Sequence, residues 1–214
     1  MDQNERKKVG IPTLKRLPLY LRLLRQMKED GRDYASGTVV AKKLSLDPIV
    51  VRKDLAITGA VGRPRLGFPM DEIIEAIEDF LGWTNTSEAF LVGVGNLGRA
   101  LLRHKGFEQH GLKIISGFDS NPTIIGDVIA GKKIYDIKDL KSRAKSRHIQ
   151  IGILTVSPTY AQDIADVMVD AGIRAIWNFT PITLKVPDYV ILQREELASS
   201  LAVLSHRLLV DNEN

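Results

Sequence analysis

Two hydrophobic rhythms divide the chain. Up to about residue 85 apolar side chains recur at helical spacing; beyond it they gather into short runs separated by helical segments, the pattern of buried parallel strands alternating with helices. Leu14, Leu17, Leu21, Leu24 and Met27, with Arg22, Arg25 and Lys28 between them, predict a first helix that Gly31 stops. Ser36 is a candidate cap for a second helix carrying Val39, Val40 and Leu44. The break Ser45-Leu46-Asp47-Pro48 opens a third, with Asp47 as N-cap and Pro48 at the first helical position. Residues 59–68, Gly-Ala-Val-Gly-Arg-Pro-Arg-Leu-Gly-Phe, are too rich in Gly and Pro to extend it and read as a small hairpin tip. Asp71 is expected to cap a fourth helix with Ile73, Ile74, Ile77, Phe80 and Leu81 on one face and Gly82 at its end, and residues 84–87 read as a linker.

In the second rhythm, Phe90-Leu91-Val92 leads straight into Gly93-Val94-Gly95-Asn96-Leu97-Gly98, followed by helical Leu101 and Leu102 and by a second apolar run that ends at Asp119. Gly93 suits the tight turn, Gly95 the approach of a pyrophosphate to the backbone, and Gly98 close packing of helix on strand. The phosphates would lie on the helix N-terminus, whose free N–H groups favour negative charge. Asp119, about 20 residues beyond Gly98, stands where a carboxylate accepts from ribose hydroxyls. Glycine-rich turns also occur in flavin, methyl-donor and purely structural loops; here strand, helix, second strand and terminal acid all agree. Ser120 and Asn121 follow Asp119 where a 2′-phosphate reader would place Arg, which favours NAD(H) over NADP. Residues 149–156 predict a further strand, Pro158 opens a helix with Ala161, Ile164, Ala165 and Met168, and residues 175–179 form the next strand. Thr155, Val156, Ser157, Asn178 and Phe179 then fall at strand ends facing a cofactor crevice, although large apolar residues such as Trp177 and Phe179 are more often core. The last segment places Leu197, Leu201, Leu204 and Leu208 on one helical face, which could cover this chain's sheet or a partner's.

Composition narrows the function. A 44% hydrophobic chain of 214 residues can build real cores. It has no apolar run approaching a membrane span and no signal-peptide pattern at its start, so a soluble, cytoplasmic protein without membrane contact is expected. With no cysteine, disulfides, thiolate zinc sites and thiol redox sensing are excluded. The net charge of +4 is unevenly spread: residues 1–70 hold 15 Lys and Arg against 7 Asp and Glu, and residues 71–214 hold 15 against 19. A basic module ahead of an acidic one suggests a polyanion partner, although charge alone fits a solvated face equally well. The helix pattern adds a helix-turn-helix whose second member, with Arg52 and Lys53, would enter the major groove of double-stranded DNA, while Arg63 and Arg65 at the hairpin tip would reach phosphates or the minor groove. Ser36 and Phe68 are further DNA-binding candidates. The fold class is therefore α/β: a winged helix-turn-helix domain over residues 1–85, a Rossmann-type parallel-sheet domain over 86–194 and a C-terminal helix over 195–214. No catalytic set is visible, because no Tyr-x-x-x-Lys pair occurs and the histidines (His104, His110, His148, His206) are scattered, which also argues against a metal. Two competing readings are a small NAD-dependent dehydrogenase and a CoA- or nucleotide-binding regulatory module without DNA binding.

Lys15-Arg16-Leu17-Pro18-Leu19-Tyr20, Val51-Arg52-Lys53-Asp54-Leu55, the Gly-x-x-Gly wing, Gly93 to Leu102, Phe118-Asp119, Ile124-Ile125-Gly126, Ala161-Gln162 and Asn178-Phe179 together resemble the Rex family of redox-sensing transcriptional repressors, from about Pro12 to Leu204. The resemblance implies a winged helix joined to a Rossmann domain, a homodimer with an exchanged C-terminal helix, operator binding, and release of the operator by NADH against weak competition from NAD⁺. It also implies an interdomain switch in which an Arg of the first helix, matched by Arg16, works with a Tyr of the first cofactor-domain helix and a carboxylate from the C-terminal region of the other subunit. Glu196 stands where the family more often has Asp, and His104 stands at the Tyr position. Imidazole changes charge between roughly pH 5 and 8, so this departure implies a pH-dependent switch, the alternative being an exposed helix histidine with no role.

Overall fold

The structure, a computed structural model, describes residues 9–212; residues 1–8, whose composition was read above for a leader, lie outside them. Contacts group the chain into two units, Met1–Asn85 and Thr86–Asn214.

The first unit begins with α1 (Ile11–Glu29), which buries Leu17, Tyr20, Leu21, Leu24 and Met27. Leu14, expected inward, is 40% exposed. Tyr20 takes an inward place instead, and its hydroxyl is tolerated there because it meets an acid partner described below. After β1 (Tyr34–Ala35), helix α2 (Gly37–Leu44) starts on the Ser36 hydroxyl, which accepts from the Val39 N–H. Ser45 adopts a left-handed φ of 54° and turns the chain into α3 (Pro48–Ile57), capped by Asp47 through the Ile49 and Val50 N–H groups. A tight turn between two short helices is what the sequence implied. The two-residue strand β2 (Phe68–Pro69) pairs antiparallel with β1 and closes the wing, and α4 (Met70–Leu81) follows. Asp71 is not the cap of α4: Pro69, held extended in β2, precedes a helix that begins at Met70, so Asp71 lies inside the first turn and faces the helix dipole. Val40, Val51, Leu55, Ile73 and Ile77 complete this unit's core.

The second unit is a seven-stranded sheet. Its members are β3 (Ser87–Val92), β4 (Leu112–Asp119), β5 (Val128–Ile129), β6 (Lys132–Asp136), β7 (Ile151–Leu154), β8 (Ala175–Asn178) and β9 (Ile191–Arg194), in the order β5-β6-β4-β3-β7-β8-β9. All pairs are parallel except β5 with β6. Apart from that edge strand, this is the strand order of the doubly wound dinucleotide-binding fold, which reverses direction between β3 and β7. Successive β3 side chains feed opposite faces: Phe90 and Val92 pack with α6 (Leu140–Arg147) and α7 (Ala161–Asp170), Leu91 with α5 (Asn96–Arg103). The run at 149–156 is strand only over Ile151–Leu154; Ile149 closes the end of α6 through its N–H to the Ala144 carbonyl. Pro158 opens a short 3-10 turn before α7 rather than the helix itself. The β5–β6 hairpin carried no turn signal, because its bend is Ala130-Gly131 with both φ positive and Ala is an unusual residue there. Helix α8 (Leu197–Asn212) ends the chain with Leu201, Leu204 and Leu208 more than half exposed. Among the described residues no helix is long and apolar enough to cross a membrane.

Candidate functional site

The reversal between β3 and β7 opens a cleft of about 520 Å³ at the carboxyl ends of the strands, the place where such sheets bind ligands. Gly93 turns the chain with φ 97°, and a Cβ there would strike the Thr155 backbone. Gly98 lies so close to Gly93 that any side chain would meet its carbonyl oxygen, which is why α5 can start directly against the turn. Thr155 fastens the opposite side, its hydroxyl donating to the carbonyls of Gly93 (2.6 Å) and Val92 (3.1 Å). Asp119 is held by two amides: Val94 N–H donates to Oδ2 at 2.7 Å and Asn121 N–H to Oδ1 at 2.9 Å. Each carboxylate oxygen keeps a free lone pair for a hydroxyl donor. Gly93, Gly95, Asp119, Ser120, Thr155, Val156 and Ser157 all line the cleft, together with Ile137, Tyr160, Asp163 and Ile164, which the sequence did not single out. Tyr160, Asp163 and Ile164 belong to one short segment at the start of α7 and carry no motif, and only the sheet order brings the distant Ile137 to the same cleft. Val94, Asn96, Leu97 and Gly98 shape the turn and the helix start without forming the cleft walls. Asn178 and Phe179 also stand outside the walls. The Asn178 side chain is fully buried and spent on its own loop, accepting from Thr180 N–H and hydroxyl and donating to the Ile182 carbonyl, while Phe179 packs on Trp177 at 4.9 Å.

In the first unit Arg52 and Lys53 project from α3 and are exposed, as are Arg63 and Arg65 in the wing. Arg65 occupies the wing tip at φ 65°. Arg63 is tied down: its guanidinium donates to the Tyr34 hydroxyl (3.0 Å) and to Glu72 (3.3 Å). Phe68 is half-buried against Gly62, and the Ser36 hydroxyl serves its helix, so both support the surface from beneath. The residue after Lys53 is the more informative. Asp54, only 3% exposed, receives the Thr13 hydroxyl (2.9 Å), the Tyr20 hydroxyl (2.7 Å) and two Arg16 donors (2.6 and 3.0 Å), all from α1. Burial alone would raise the Asp54 pKa; the bonds from Arg16, Tyr20 and Thr13 outweigh it and hold the carboxyl below its ordinary range. Burial and the bond to Asp54 push the Tyr20 phenol up to about 12, and the same acid raises Arg16 further. An acid at the end of an otherwise exposed Arg52-Lys53-Asp54 run gave no sign of burial in the sequence, since the helix that turns Asp54 inward faces Arg52 and Lys53 out.

Comparison with known proteins sets this geometry in a lineage. Residues 8–56 match the family model of a DNA-binding protein N-terminus, and residues 84–182 match that of a CoA binding domain. The redox-sensing transcriptional repressor Rex of Treponema denticola is 48% identical over 90% of this chain and 92% of its own. That of Bacteroides fragilis is 42% identical over 94% and 91%. The chain belongs to the Rex family. Among solved structures, RSP, a Rex-family repressor, in complex with beta-NAD+ and operator DNA superposes with a TM-score of 0.89 at 34% identity, over 95% of this chain and 94% of that one. RSP in complex with beta-NADH gives 0.87 at 33%, over 96% of each.

Against the switch that the Rex resemblance implied, Arg16 is engaged by Asp54. Glu196 pairs with Arg194 at 2.9 Å and accepts from Ser199. His104 lies one residue beyond α5, exposed, with its ring edge-on to Phe107 at 4.7 Å. Each of the three has a local partner within its own unit. Among the described residues no group of His, Asp or Glu is arranged to hold a metal ion.

Proposed function

We propose that this protein is a cytoplasmic repressor that binds palindromic operator DNA as a homodimer and is released from it when NADH occupies the cleft. The observation that carries this reading is the pairing, in one chain, of an exposed basic α3 and wing with a glycine turn whose terminal acid is already held in place. The cleft fits a dinucleotide: a Cβ at Gly95 would enter open space above the α5 N-terminus, where free N–H groups suit a pyrophosphate, and Asp119 retains acceptors for a ribose diol. NAD(H), when bound, would supply the redox-dependent group; the chain's part is to seat it and to couple its presence to α3. Arg52 and Lys53 would read or neutralise DNA in the major groove, Arg65 would reach from the wing, and Arg63 would follow it only by leaving Glu72. Arg16, His104 and Glu196 are proposed as the coupling set. The exposed apolar stripe of α8 is proposed to cross to a second copy, which places two α3 helices on successive half-sites. No His or Lys among the described residues lines the cleft to serve the dehydrogenase alternative, and this chain's relatives are named repressors. Fluorescence anisotropy on a palindromic operator library tests the proposal: NADH should release the DNA at concentrations where NAD⁺ does not. Binding unaffected by NADH overturns it.

A further inference from the structure

The cleft is built for an anionic dinucleotide, yet its walls carry two carboxylates, Asp119 and Asp163, and no Lys or Arg. Asp119 is accounted for by the amides it holds and the ribose it faces. Asp163 is not. It stands on the first turn of α7, exposed to the cleft, and its carboxylate has neither a hydrogen-bond donor nor an ion-pair partner among the described residues. Tyr160 and Ile164 flank it in the cleft, and Ile137 enters from beyond β6. The sheet order puts β6 and α7 on opposite sides of the glycine turn, so Ile137 and Ile164 face a common slot from two sides, a setting suited to a flat aromatic base with a polar group at its rim.

A dinucleotide offers three kinds of hydrogen-bond donor. The adenosine ribose hydroxyls fall to Asp119, and the nicotinamide carboxamide and its ribose lie at the other end of the ligand. The exocyclic N6 amine of adenine is left. Resting on the NAD(H) reading above, we propose that Asp163 accepts a hydrogen bond from that amine and so selects adenine over purines with a carbonyl at C6, whose oxygen a carboxylate would repel. An ordinary first-turn acid, solvated and merely favourable to the helix dipole, would make no such distinction.

The probe is the reduced nicotinamide hypoxanthine dinucleotide, which replaces the N6 amine by a carbonyl, places a proton on the adjacent N1 and leaves the sugars, pyrophosphate and nicotinamide of NADH unchanged. Calorimetry would compare it with NADH on the full chain and on Asp163→Asn, an exposed substitution whose melting temperature should match the wild type. The wild type should prefer NADH by about tenfold, the worth of one charge-assisted bond at a partly open rim. Asp163→Asn should bring the two ligands within about twofold, because an amide donates to a carbonyl as readily as it accepts from an amine. Equal binding by the wild type, tighter binding of the hypoxanthine form, or a preference unchanged in Asp163→Asn overturns the inference while leaving the cofactor reading intact. No NADH binding to the wild type at all overturns both.

Discussion

Asp119 shows how one side chain serves the backbone and the ligand together. Its two oxygens hold the Val94 and Asn121 amides, so the glycine turn is braced before any ligand arrives. Its charge would also repel a 2′-phosphate. NADH should therefore bind more tightly than NADPH, and Asp119→Asn, which keeps one acceptor and removes the charge, should narrow the gap; calorimetry with both nucleotides checks this, and wild-type affinity for NADPH equal to that for NADH would remove Asp119 as the ribose reader. The arginines separate in the same way. Arg52→Ala should cost about 1–3 kcal/mol on the cognate operator if it reads a guanine edge. Arg63→Ala should weaken all sequences alike and lower the salt dependence of binding, because a wing cation neutralises phosphate. Competition assays on cognate and scrambled DNA across a salt series separate the two. At this scale the sequence was legible wherever function demanded a backbone conformation, as at Gly93, Gly98 and Pro48. It was silent on Asp163, whose importance arises only from what the fold sets beside it.

Between elements, the join of α1 to α3 is the least expected feature. Four donor contacts from Thr13, Arg16 and Tyr20 converge on Asp54, so the helix bearing Arg52 and Lys53 is fixed by polar bonds as well as by Val51 and Leu55. Asp54→Ala would strand the buried Tyr20 hydroxyl at a cost of about 1–3 kcal/mol, measurable by urea unfolding. The pH dependence follows from the two shifts. A carboxylate whose folded pKa is lowered contributes its full stability above the ordinary value of 3.8 and loses it as pH falls through the folded one. Tyr20, raised from 10.0 to about 12, contributes fully below pH 10 and loses that contribution as pH climbs toward 12. Asp54→Asn should therefore flatten the acid limb of the stability curve; an acid limb identical to that of the wild type would show that this acid carries none of it. The helices themselves were readable from caps and periodicity. The strands β5, β6 and β9 were not, because they lie at the sheet's two ends, where half-exposed positions blur the apolar run: Val128 and Ile191 are 65% and 70% exposed.

For the molecule as a whole, α8 is the exposed remainder. Leu201, Leu204 and Leu208 stay 61–65% exposed, an arrangement that favours cover by another surface. Ending the chain after Glu196 should yield monomers in sedimentation velocity and reduce operator affinity about a hundredfold, since two half-sites would no longer be engaged together. A truncated chain that remains dimeric would refute the exchanged helix. The two-unit plan was legible because hydrophobic rhythm and charge change over the same stretch, whereas the destination of α8 was not, since an apolar stripe does not name the surface it seeks. The sheet order also has a consequence in time. Met1–Asn85 makes its own contacts and is complete once residue 85 has been synthesised, while β3 must wait for β7, about 60 residues further along the chain, before both its edges are paired. Local contacts form early and distant parallel pairings late. During synthesis the basic unit is therefore finished well before the cleft exists, so a ribosome that stalls midway leaves α3 and the wing formed without the sheet that seats the dinucleotide.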